Sequence, residues 1–362
     1  MIIVAKIGTS SITDDAGTID EPAIAKFCGE VAALRAEGHQ VVMVTSGAIA
    51  AGLPTLDFDE RPRDAVTLQA VSAVGQSRLM AVYDRELAGH ELIGGQVLLA
   101  PLDFMVREQY LHARGTLTRL LDLGVVPVVN ENDAIADDEI RFGDNDRLAA
   151  LVAHLIRADL LVLLTDMPGL LSADPRLDDG ASLIEEILEV DHSLEALAGG
   201  AGSARGSGGM ASKLAAAKIA AWSGVRAIIA AAHREHVLRD AVAGVAGVGT
   251  LVHPRADRLP ARKLWIAFAV GSSGTIVVDD GAKRALIERG VSLLPPGVVD
   301  AKGGFDVNAA VEIAGPDGQV FAKGLVRFDA AGLRAVAGRR TDALPEGAPH
   351  EVVHRDDLVV LP

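Results

Sequence analysis

The sequence has a single cysteine, Cys28, among its 362 residues, so an intrachain disulfide is excluded. It also lacks any run of about 18 uninterrupted apolar residues, the length that a membrane-spanning helix requires, and we therefore expect no membrane span. The N-terminus enters an apolar segment directly, without the basic stretch and cleavage site of an export signal. These absences favour a cytoplasmic protein. Because Cys28 lies among apolar residues at helical spacing, we interpret it as a core residue and not as a nucleophile.

An excess of positive charge is missing as well. The formal net charge is −15, which disfavours binding to nucleic acid or to an anionic membrane surface. Residues 261–362 hold 12 Lys+Arg against 13 Asp+Glu, whereas residues 1–260 hold 22 against 36. The acidic excess therefore belongs to the first 260 residues.

The two common nucleotide-binding motifs, Gly-x-x-x-x-Gly-Lys-Ser/Thr and Gly-x-Gly-x-x-Gly, do not occur. The sequence does contain a glycine-rich stretch at residues 202–213, GSARGSGGMASK, at the start of a predicted helix. A helix N-terminus that follows flexible backbone binds anions readily, and Lys213 adds a full positive charge there. The stretch predicts a nucleotide site of neither common kind, and a disordered surface loop is the alternative.

Strand and helix patterns alternate along the first half of the chain, which predicts an α/β domain with a mainly parallel sheet. The predicted strands are residues 2–7, 40–46, 95–99, 125–129 and 160–164. The predicted helices are residues 20–38, 68–85, 110–123 and 147–156.

The segment 130–146, NENDAIADDEIRFGDND, concentrates acids and amides directly after a buried strand. In open α/β sheets, ligands bind beyond the carboxyl ends of such strands. Capping of the following helix would explain Asp144 or Asn145. It does not explain Asn130, Asn132 and Asp133, which lie at the end of the preceding strand. We therefore favour a substrate site in this segment.

Other predicted strands also end in polar turns. In the first turn, Gly8 allows backbone N–H groups to approach an anion, and Lys6 supplies a cation. Ser46 follows the second strand and is either a helix N-cap or a group that faces the crevice. Thr165 and Asp166 follow another buried strand.

Seven short motifs occur in order along the chain: KIGTS at 6–10, VTSGAIAAG at 44–52, AVGQSR at 73–78, NEND at 130–133, GDND at 143–146, LTD at 164–166 and GGMASK at 208–213. The set closely resembles the glutamate 5-kinases of the amino acid kinase superfamily, over essentially the whole chain. The resemblance implies a three-layer αβα sandwich with a mainly parallel sheet. It also implies ATP-dependent phosphorylation of the γ-carboxylate of L-glutamate with Mg²⁺, the first step of proline synthesis. Ser207 and Ser212 stand where some relatives have threonine, and both keep the hydroxyl.

The resemblance further implies residue roles. Lys6 and Lys213 flank the transferring phosphoryl group, and Asp146 holds their ammonium groups in position. The implied glutamate ligands are Ser46, Asp133 and Asn145. The implied ATP ligands are Lys6, Thr165, Asp166, Ser207, Gly208, Gly209, Met210, Ala211, Ser212 and Lys213. No residue is assigned to a metal.

No general base is required, because the γ-carboxylate is already ionised at pH 7 and is itself the nucleophile. Since the implied reaction begins proline synthesis, we expect proline to be a feedback inhibitor that competes with glutamate. We also expect a homo-oligomer.

Residues 253–260 contain two prolines and little apolar periodicity, which is typical of a linker. We therefore predict a kinase domain at 1–252 and a second domain at 261–362. The second domain is punctuated by glycine, with predicted strands at 274–279, 320–326 and 351–354, which favours a small barrel.

The motifs GAKRAL at 281–286, LLPPGV at 293–298 and VHRDDL at 353–358 resemble the PUA domain, a small β-barrel-like module known from RNA-modifying enzymes. The balanced charge of this region gives no electrostatic support for binding RNA.

The string from His350 to His354 fits the zinc-protease pattern His-Glu-x-x-His. That pattern requires both histidines on one face of a helix and a third ligand. Valines within and after the string predict a strand, so we do not assign a zinc site.

Two other functions are compatible with these patterns. One is a kinase of the same fold that acts on acetylglutamate, aspartate, carbamate or a nucleoside monophosphate, which a substrate panel would distinguish. The other is an RNA-binding regulator with a vestigial kinase fold. The presence of Lys6, Asp146 and Lys213 disfavours the second, and an RNA shift assay at physiological salt would test it.

Overall fold

The computed structural model describes the chain except residues 15, 59, 101, 136–144, 177, 179, 200–208, 270, 341–343, 346 and 362. Its contacts divide the chain into two units, Met1–Arg258 and Leu259–Pro362. Along the described residues, no helix combines the length and the apolar character needed to cross a bilayer.

The elements of the first unit alternate between strand and helix. Its strands are β1 (Ile2–Ile7), β2 (Gln40–Val44), β3 (Gly94–Leu99), β4 (Val126–Glu131), β5 (Leu160–Thr165), β6 (Glu186–Ile187), β7 (Arg226–Ala231) and β8 (Gly249–Val252). Its helices are α1 (Glu21–Ala36), α2 (Ala48–Gly52), α3 (Ala65–Ala88), α4 (Leu102–Met105), α5 (Arg107–Asp122), α6 (Asn145–Ile156), α7 (His192–Gly199), α8 (Met210–Trp222) and α9 (Val237–Ala243).

Within the described residues these strands form one sheet in the order β3-β4-β2-β1-β5-β7-β8-β6. Every pair is parallel except β7 with β8. Strand β1 lies between β2 and β5, and Lys6 is in register with Val44 on one side and Leu163 on the other. The carboxyl ends of these three strands therefore meet at one edge, where open α/β sheets bind ligands.

Helices cover both faces of the sheet. One face carries alternate residues such as Ile3, Val41 and Leu160, which pack in one core cluster with side chains of α1, α3 and α9. The opposite face contacts α6 and α8, which also contact each other. Alternation along each strand explains this division, because successive side chains point to opposite faces. The result is the predicted three-layer αβα arrangement with a mainly parallel sheet.

Helices α2 and α3 approach each other unusually closely through glycines. A Cβ atom placed on Gly75 would lie 1.8 Å from the carbonyl oxygen of Ala48, and one on Gly52 would lie 2.1 Å from that of Val71. Gly47, which precedes α2, has a φ of +98°, a conformation that side chains other than glycine rarely adopt. These glycines allow the turn after β2 to lie directly against α3.

The second unit has its own sheet and core. Its strands are β9 (Gly274–Val278), β10 (Val298–Gly303), β11 (Ala310–Ala314), β12 (Val320–Val326) and β13 (Val353–Val360), and its helices are α10 (Ala261–Leu264), α11 (Asp280–Arg289) and α12 (Ala330–Val336). In its described part the sheet order is β10-β9-β11-β12-β13, with β9 and β11 parallel and the other pairs antiparallel. Apolar residues of these strands and of α11 and α12 form a separate core.

Helix α6 begins at Asn145, so the prediction that this helix starts at Arg147 was wrong by two residues. Asn and Asp are typical of caps and turns, which is why the pattern suggested loop. Here both side chains are buried and bonded to other elements, and these tertiary contacts outweigh local preference. Asp144, the other capping candidate, lies outside the described residues.

Candidate functional site

A buried carboxylate between two lysines lies at the carboxyl edge of β1. Asp146, in the first turn of α6, contacts the Nζ atom of Lys6 through Oδ1, and its Oδ2 lies 3.1 Å from the Nζ atom of Lys213. Lys6 is in β1 and Lys213 is in the second turn of α8. Three separate elements therefore bring one acid and two bases together.

The cluster combines full burial with an excess of positive charge. The Asp146 side chain has no exposed area. Burial alone would raise the pKa of its carboxyl, but attraction and hydrogen bonds from Lys6 and Lys213 outweigh burial and hold the pKa below its ordinary value. Among the described residues of this cluster, two ammonium groups contact one carboxylate, an arrangement that suits an anionic ligand.

The N-terminus of α8 lies beside this cluster. Gly209 is its N-cap and has an extended backbone, with no side-chain cap hydrogen bond. Ser212 donates to Asp146 Oδ2 at 3.1 Å. Backbone N–H groups in the first turn of a helix carry partial positive charge and bind phosphate oxygens. The predicted ATP ligands Ser207 and Gly208 lie outside the described residues.

A cavity of about 250 Å³ opens between β5 and α8. Of the predicted ATP ligands, those on its wall are Thr165, Asp166, Gly209, Met210 and Lys213. The remaining wall is largely apolar and includes Met167, Leu170 and Leu171. The cavity thus has a charged end at Lys213 and an apolar region, the two features that a nucleotide needs.

The other predicted ATP ligands differ in their surroundings. Thr165 donates to Asp166 Oδ1 at 2.9 Å, so the strand end is ordered by its own neighbours. Ser212 contacts the carboxylate cluster, and Ala211 is exposed. Lys6 contacts Asp146 and is not among the described residues that line this cavity.

A second polar group lies on the other side of β1, at the ends of β2 and β4. The Nδ2 atom of Asn145 lies 2.6 Å from the carbonyl oxygen of Thr45, 3.1 Å from Ser46 Oγ and 2.6 Å from Asn130 Oδ1. The structure therefore brings together Ser46 and Asn145, two predicted glutamate ligands.

Asp133 lies in the short 3-10 turn that follows β4. Its Oδ2 atom accepts a hydrogen bond from Ser72 Oγ of α3 at 2.5 Å. Asp133 lines a cavity of about 240 Å³ together with Ser72 and Gln76. Within the described part of the chain, Ser46 and Asn145 bond to each other and Asp133 bonds to Ser72, so the three predicted glutamate ligands form two groups.

Mg²⁺ is implied by the resemblance, and the described side chains do not form a site for it by themselves. Among the described residues, no three His, Cys, Asp or Glu side chains come together as metal ligands would. Mg²⁺ in phosphotransferases is commonly held mostly by substrate phosphates and water, which needs few protein ligands.

Comparisons with known proteins agree with this geometry. The amino acid kinase family model matches residues 1–231, and the PUA domain model matches residues 274–347. The glutamate 5-kinases of Pelobacter propionicus and Burkholderia lata are each 44% identical to this chain over 363 residues, covering 99% of the chain and 97% of each relative. The chain belongs to the glutamate 5-kinases of the amino acid kinase family. The resemblance inferred from the seven motifs is thereby confirmed.

Solved structures also match this member of the family. The isopentenyl phosphate kinase of T. acidophilum, solved as a product complex, superposes with a TM-score of 0.48 at 17% identity, covering 70% of this chain and 100% of that one.

Ser72 and Gln76 were not predicted as candidate site residues, and Asn130 was predicted to face the crevice without a named partner. Ser72 bonds to Asp133 and Asn130 bonds to Asn145, both predicted glutamate ligands, and Gln76 bonds to Asn130. The only available signal was the motif AVGQSR at 73–78, which contains Gln76. Helical periodicity cannot show that this face of α3 meets the end of β4, because that contact depends on the tertiary packing.

Proposed function

We propose that this chain transfers the γ-phosphoryl group of ATP to the γ-carboxylate of L-glutamate, forming L-glutamyl 5-phosphate, the first intermediate of proline synthesis. The observation that carries the proposal is the buried Lys6–Asp146–Lys213 cluster at the carboxyl edge of the sheet. Family membership and the two groups of polar side chains on either side of β1 support it.

The cluster suits phosphoryl transfer because the transferring group carries negative charge that must be stabilised in place. Catalysis of this reaction depends mainly on positioning and electrostatic stabilisation. In the proposal, Lys6 and Lys213 contact the transferring group, while Asp146 holds their two ammonium groups in position. Since all three are held before substrate arrives, little rearrangement is needed during the reaction.

The substrates are proposed to enter from opposite sides of β1. ATP occupies the cavity between β5 and α8, with its phosphates at the α8 N-terminus and Lys213. Glutamate lies at the ends of β2 and β4, against Ser46, Asp133 and Asn145. The γ-carboxylate is ionised at neutral pH and attacks directly, so no side chain has to remove a proton.

Mg²⁺ is proposed to arrive with the ATP phosphates, whose charge it would neutralise. None of the described residues is assigned to hold it, and the roles of Lys6, Lys213 and Asp146 do not depend on it.

Three further proposals concern organisation and regulation. The kinase domain is proposed to span residues 1–252 and the PUA domain residues 261–362, joined by residues 253–260. A cytoplasmic location is supported by the single free cysteine, Cys28, which is buried. Proline is proposed to compete with glutamate, since both carry an α-nitrogen and an α-carboxylate.

The test is ATP turnover with glutamate as acceptor, with the acyl phosphate trapped by hydroxylamine. We expect hydroxamate with glutamate and little with acetylglutamate or aspartate, and we expect little ATP turnover with carbamate or a nucleoside monophosphate, whose phosphorylated products form no hydroxamate. Preference for one of those acceptors would replace glutamate in the proposal. Adding proline at subsaturating glutamate should lower the rate, and an unchanged rate would exclude competition.

A further inference from the structure

Three side-chain amides form a hydrogen-bonded row from the carboxylate cluster to α3. Asn145, the neighbour of Asp146 in sequence, has its Nδ2 atom 2.6 Å from Asn130 Oδ1. Asn130 in turn donates through Nδ2 to Gln76 Oε1 at 2.8 Å. All three residues are buried. The row therefore connects the proposed phosphoryl-transfer site with the second cavity.

Backbone groups fix the orientation of each amide in this row. The carbonyl oxygen of Thr45 can only accept, so the nearby atom of Asn145, at 2.6 Å, must be its nitrogen. The backbone N–H of Glu131 can only donate, so the atom of Asn130 that it contacts at 2.9 Å must be its oxygen. Asn130 then presents its nitrogen to Gln76. It follows that Gln76 uses Oε1 within the row and directs Nε2 elsewhere.

The Nε2 atom of Gln76 is a buried donor that has no acceptor among the described residues. The residue is only 7% exposed, so bulk water does not replace the missing partner. Leaving a buried donor without an acceptor is unfavourable. Gln76 also lines the cavity of about 240 Å³, which it shares with Ser72 and Asp133.

Two of the polar residues that line this cavity are complementary to an α-amino acid. The Asp133 carboxylate suits an ammonium group, and it is held by the Ser72 hydroxyl at 2.5 Å. The Gln76 amide supplies a donor, which suits a carboxylate. An α-amino acid carries both of these groups on one carbon atom.

We propose that Gln76 determines acceptor specificity by donating through Nε2 to the α-carboxylate of the amino-acid substrate. This inference rests on the proposed glutamate kinase activity and assigns the amino-acid end of the substrate to the cavity beside α3. The row of amides then runs alongside the substrate, from its α-carboxylate to the γ-carboxylate near Asp146.

The position of Gln76 is fixed by its neighbour Gly75. The backbone of α3 at Gly75 lies so close to α2 that a Cβ atom there would be 1.8 Å from the Ala48 carbonyl oxygen. Helix α2 follows directly after Ser46. Gln76 and Ser46 are therefore held in one rigid arrangement before a substrate binds.

The test variant is Gln76→Glu. It keeps the size of the side chain and can still accept from Asn130, but it replaces the donor with a carboxylate oxygen. We expect KM for glutamate to rise about tenfold or more, the scale of a lost hydrogen bond to a charged group, with a smaller change in kcat. KM for ATP should stay within about twofold. Gln109→Glu is the matched control, because Gln109 is exposed on α5, is not among the residues that line this cavity, and the variant adds the same charge.

A substrate analogue distinguishes contact with the α-carboxylate from general damage to the site. 4-Aminobutyrate is glutamate without its α-carboxylate and retains the carboxylate that is phosphorylated. The preference in kcat/KM for glutamate over 4-aminobutyrate should fall at least about tenfold in Gln76→Glu and remain unchanged in Gln109→Glu.

An unchanged preference for glutamate over 4-aminobutyrate in a folded Gln76→Glu protein would overturn the role of Gln76. This holds whether kcat/KM fell equally for both substrates or fell for neither. This result is distinct from failure of the proposed function, which would appear as absence of glutamate turnover in the unmodified protein. Gln76→Met, which removes the donor without adding charge, should show the same loss of preference. If it did not, repulsion by the new carboxylate would explain the first result and the proposal would fail.

Discussion

At the scale of single residues, Lys213 is the side chain whose charge is expected to matter most for turnover. Its Nζ atom lies 3.1 Å from Asp146 Oδ2 and lines the cavity proposed for ATP. Lys213→Ala should lower kcat by at least about 10²-fold, because a single positioned donor stabilises a transition state on that scale. Lys218→Ala is the control on the same helix, since Lys218 pairs with Glu195 at 2.7 Å. Near-normal turnover of folded Lys213→Ala would remove Lys213 from the mechanism.

Asp133 is expected to act on substrate binding and not on the reacting group. Asp133→Asn keeps an acceptor for Ser72 but removes the charge that would face the α-ammonium of glutamate. A hydrogen bond to a charged group contributes about 1.5 to 3 kcal/mol, so KM for glutamate should rise roughly ten- to hundredfold. Because the ammonium does not react, kcat should fall less than KM rises. A lower kcat at unchanged KM would instead place Asp133 at the transferring phosphate. Asp122→Asn, an exposed change of the same type, should alter neither.

His154 should make the stability of the first unit depend on pH. Burial, and then the charges of Arg258 and Arg157, lower the pKa of His154 from 6.5 to about 4. The unfolded chain therefore takes up a proton below about pH 6.5, while the folded chain does not until about pH 4. The contribution of neutral His154 to the free energy of unfolding is fully present above about pH 6.5 and is lost as the pH falls towards 4. At about 1.4 kcal/mol per pH unit, the loss is at most roughly 3 kcal/mol.

The check is urea denaturation between pH 4 and 7.5 on the unmodified protein and on His154→Leu. The variant should lack this part of the pH dependence. Parallel curves for the two proteins would contradict the assignment.

At the scale of secondary-structure elements, the contact between α2 and α3 should tolerate no added volume. Gly75→Ala would place a methyl group 1.8 Å from the Ala48 carbonyl oxygen, so one helix must move. We expect a loss of about 1 to 3 kcal/mol in the free energy of unfolding, the usual result of overpacking. KM for glutamate should also rise, because Ser46 and Gln76 flank this contact.

Gly115→Ala provides the matched control for Gly75→Ala. Gly115 lies within α5, and a Cβ atom there would meet nothing within 4 Å. This change should be neutral or stabilising by up to about 1 kcal/mol, since alanine is the better helix former. Equal effects of the two variants would show that the α2–α3 contact is not tightly packed.

At the scale of the whole molecule, the first unit should function without the second, provided the cut falls after residue 258. The Arg255 guanidinium lies 4.4 Å from the centre of the Trp222 ring, and the Arg255 backbone donates to the Ala221 carbonyl at 2.9 Å. These contacts anchor the start of the predicted linker to α8. A chain ending at 258 should stay folded and phosphorylate glutamate.

A chain ending at 252 lacks both Arg255 contacts and should unfold more easily, by about 1 to 2 kcal/mol. Thermal denaturation and the hydroxamate assay on both truncated chains test this. A folded but inactive chain ending at 258 would show that activity requires residues beyond that point.

The sequence by itself determined the fold class, the family and the type of chemistry. Alternating strand and helix patterns predict a parallel sheet because each pattern reflects local periodicity, and polar residues at strand ends predict where a site lies. Lys6, Asp146 and Lys213 could be assigned through motifs because each belongs to a short, recognisable string. The start of α6 could not be predicted from the sequence, because Asn145 and Asp146 are residue types that locally favour a loop.

Only the tertiary structure decided which residues meet. The burial of Asp146 between two lysines, the Ser72–Asp133 contact and the row from Asn145 to Gln76 join residues that are 15 to 140 positions apart. Local sequence carries no information on such pairings, because they depend on how closely helices pack on the sheet and on each other. The α2–α3 approach that positions Gln76 depends on two glycines, Gly52 and Gly75, which in sequence could equally have been ordinary breaks in helical pattern.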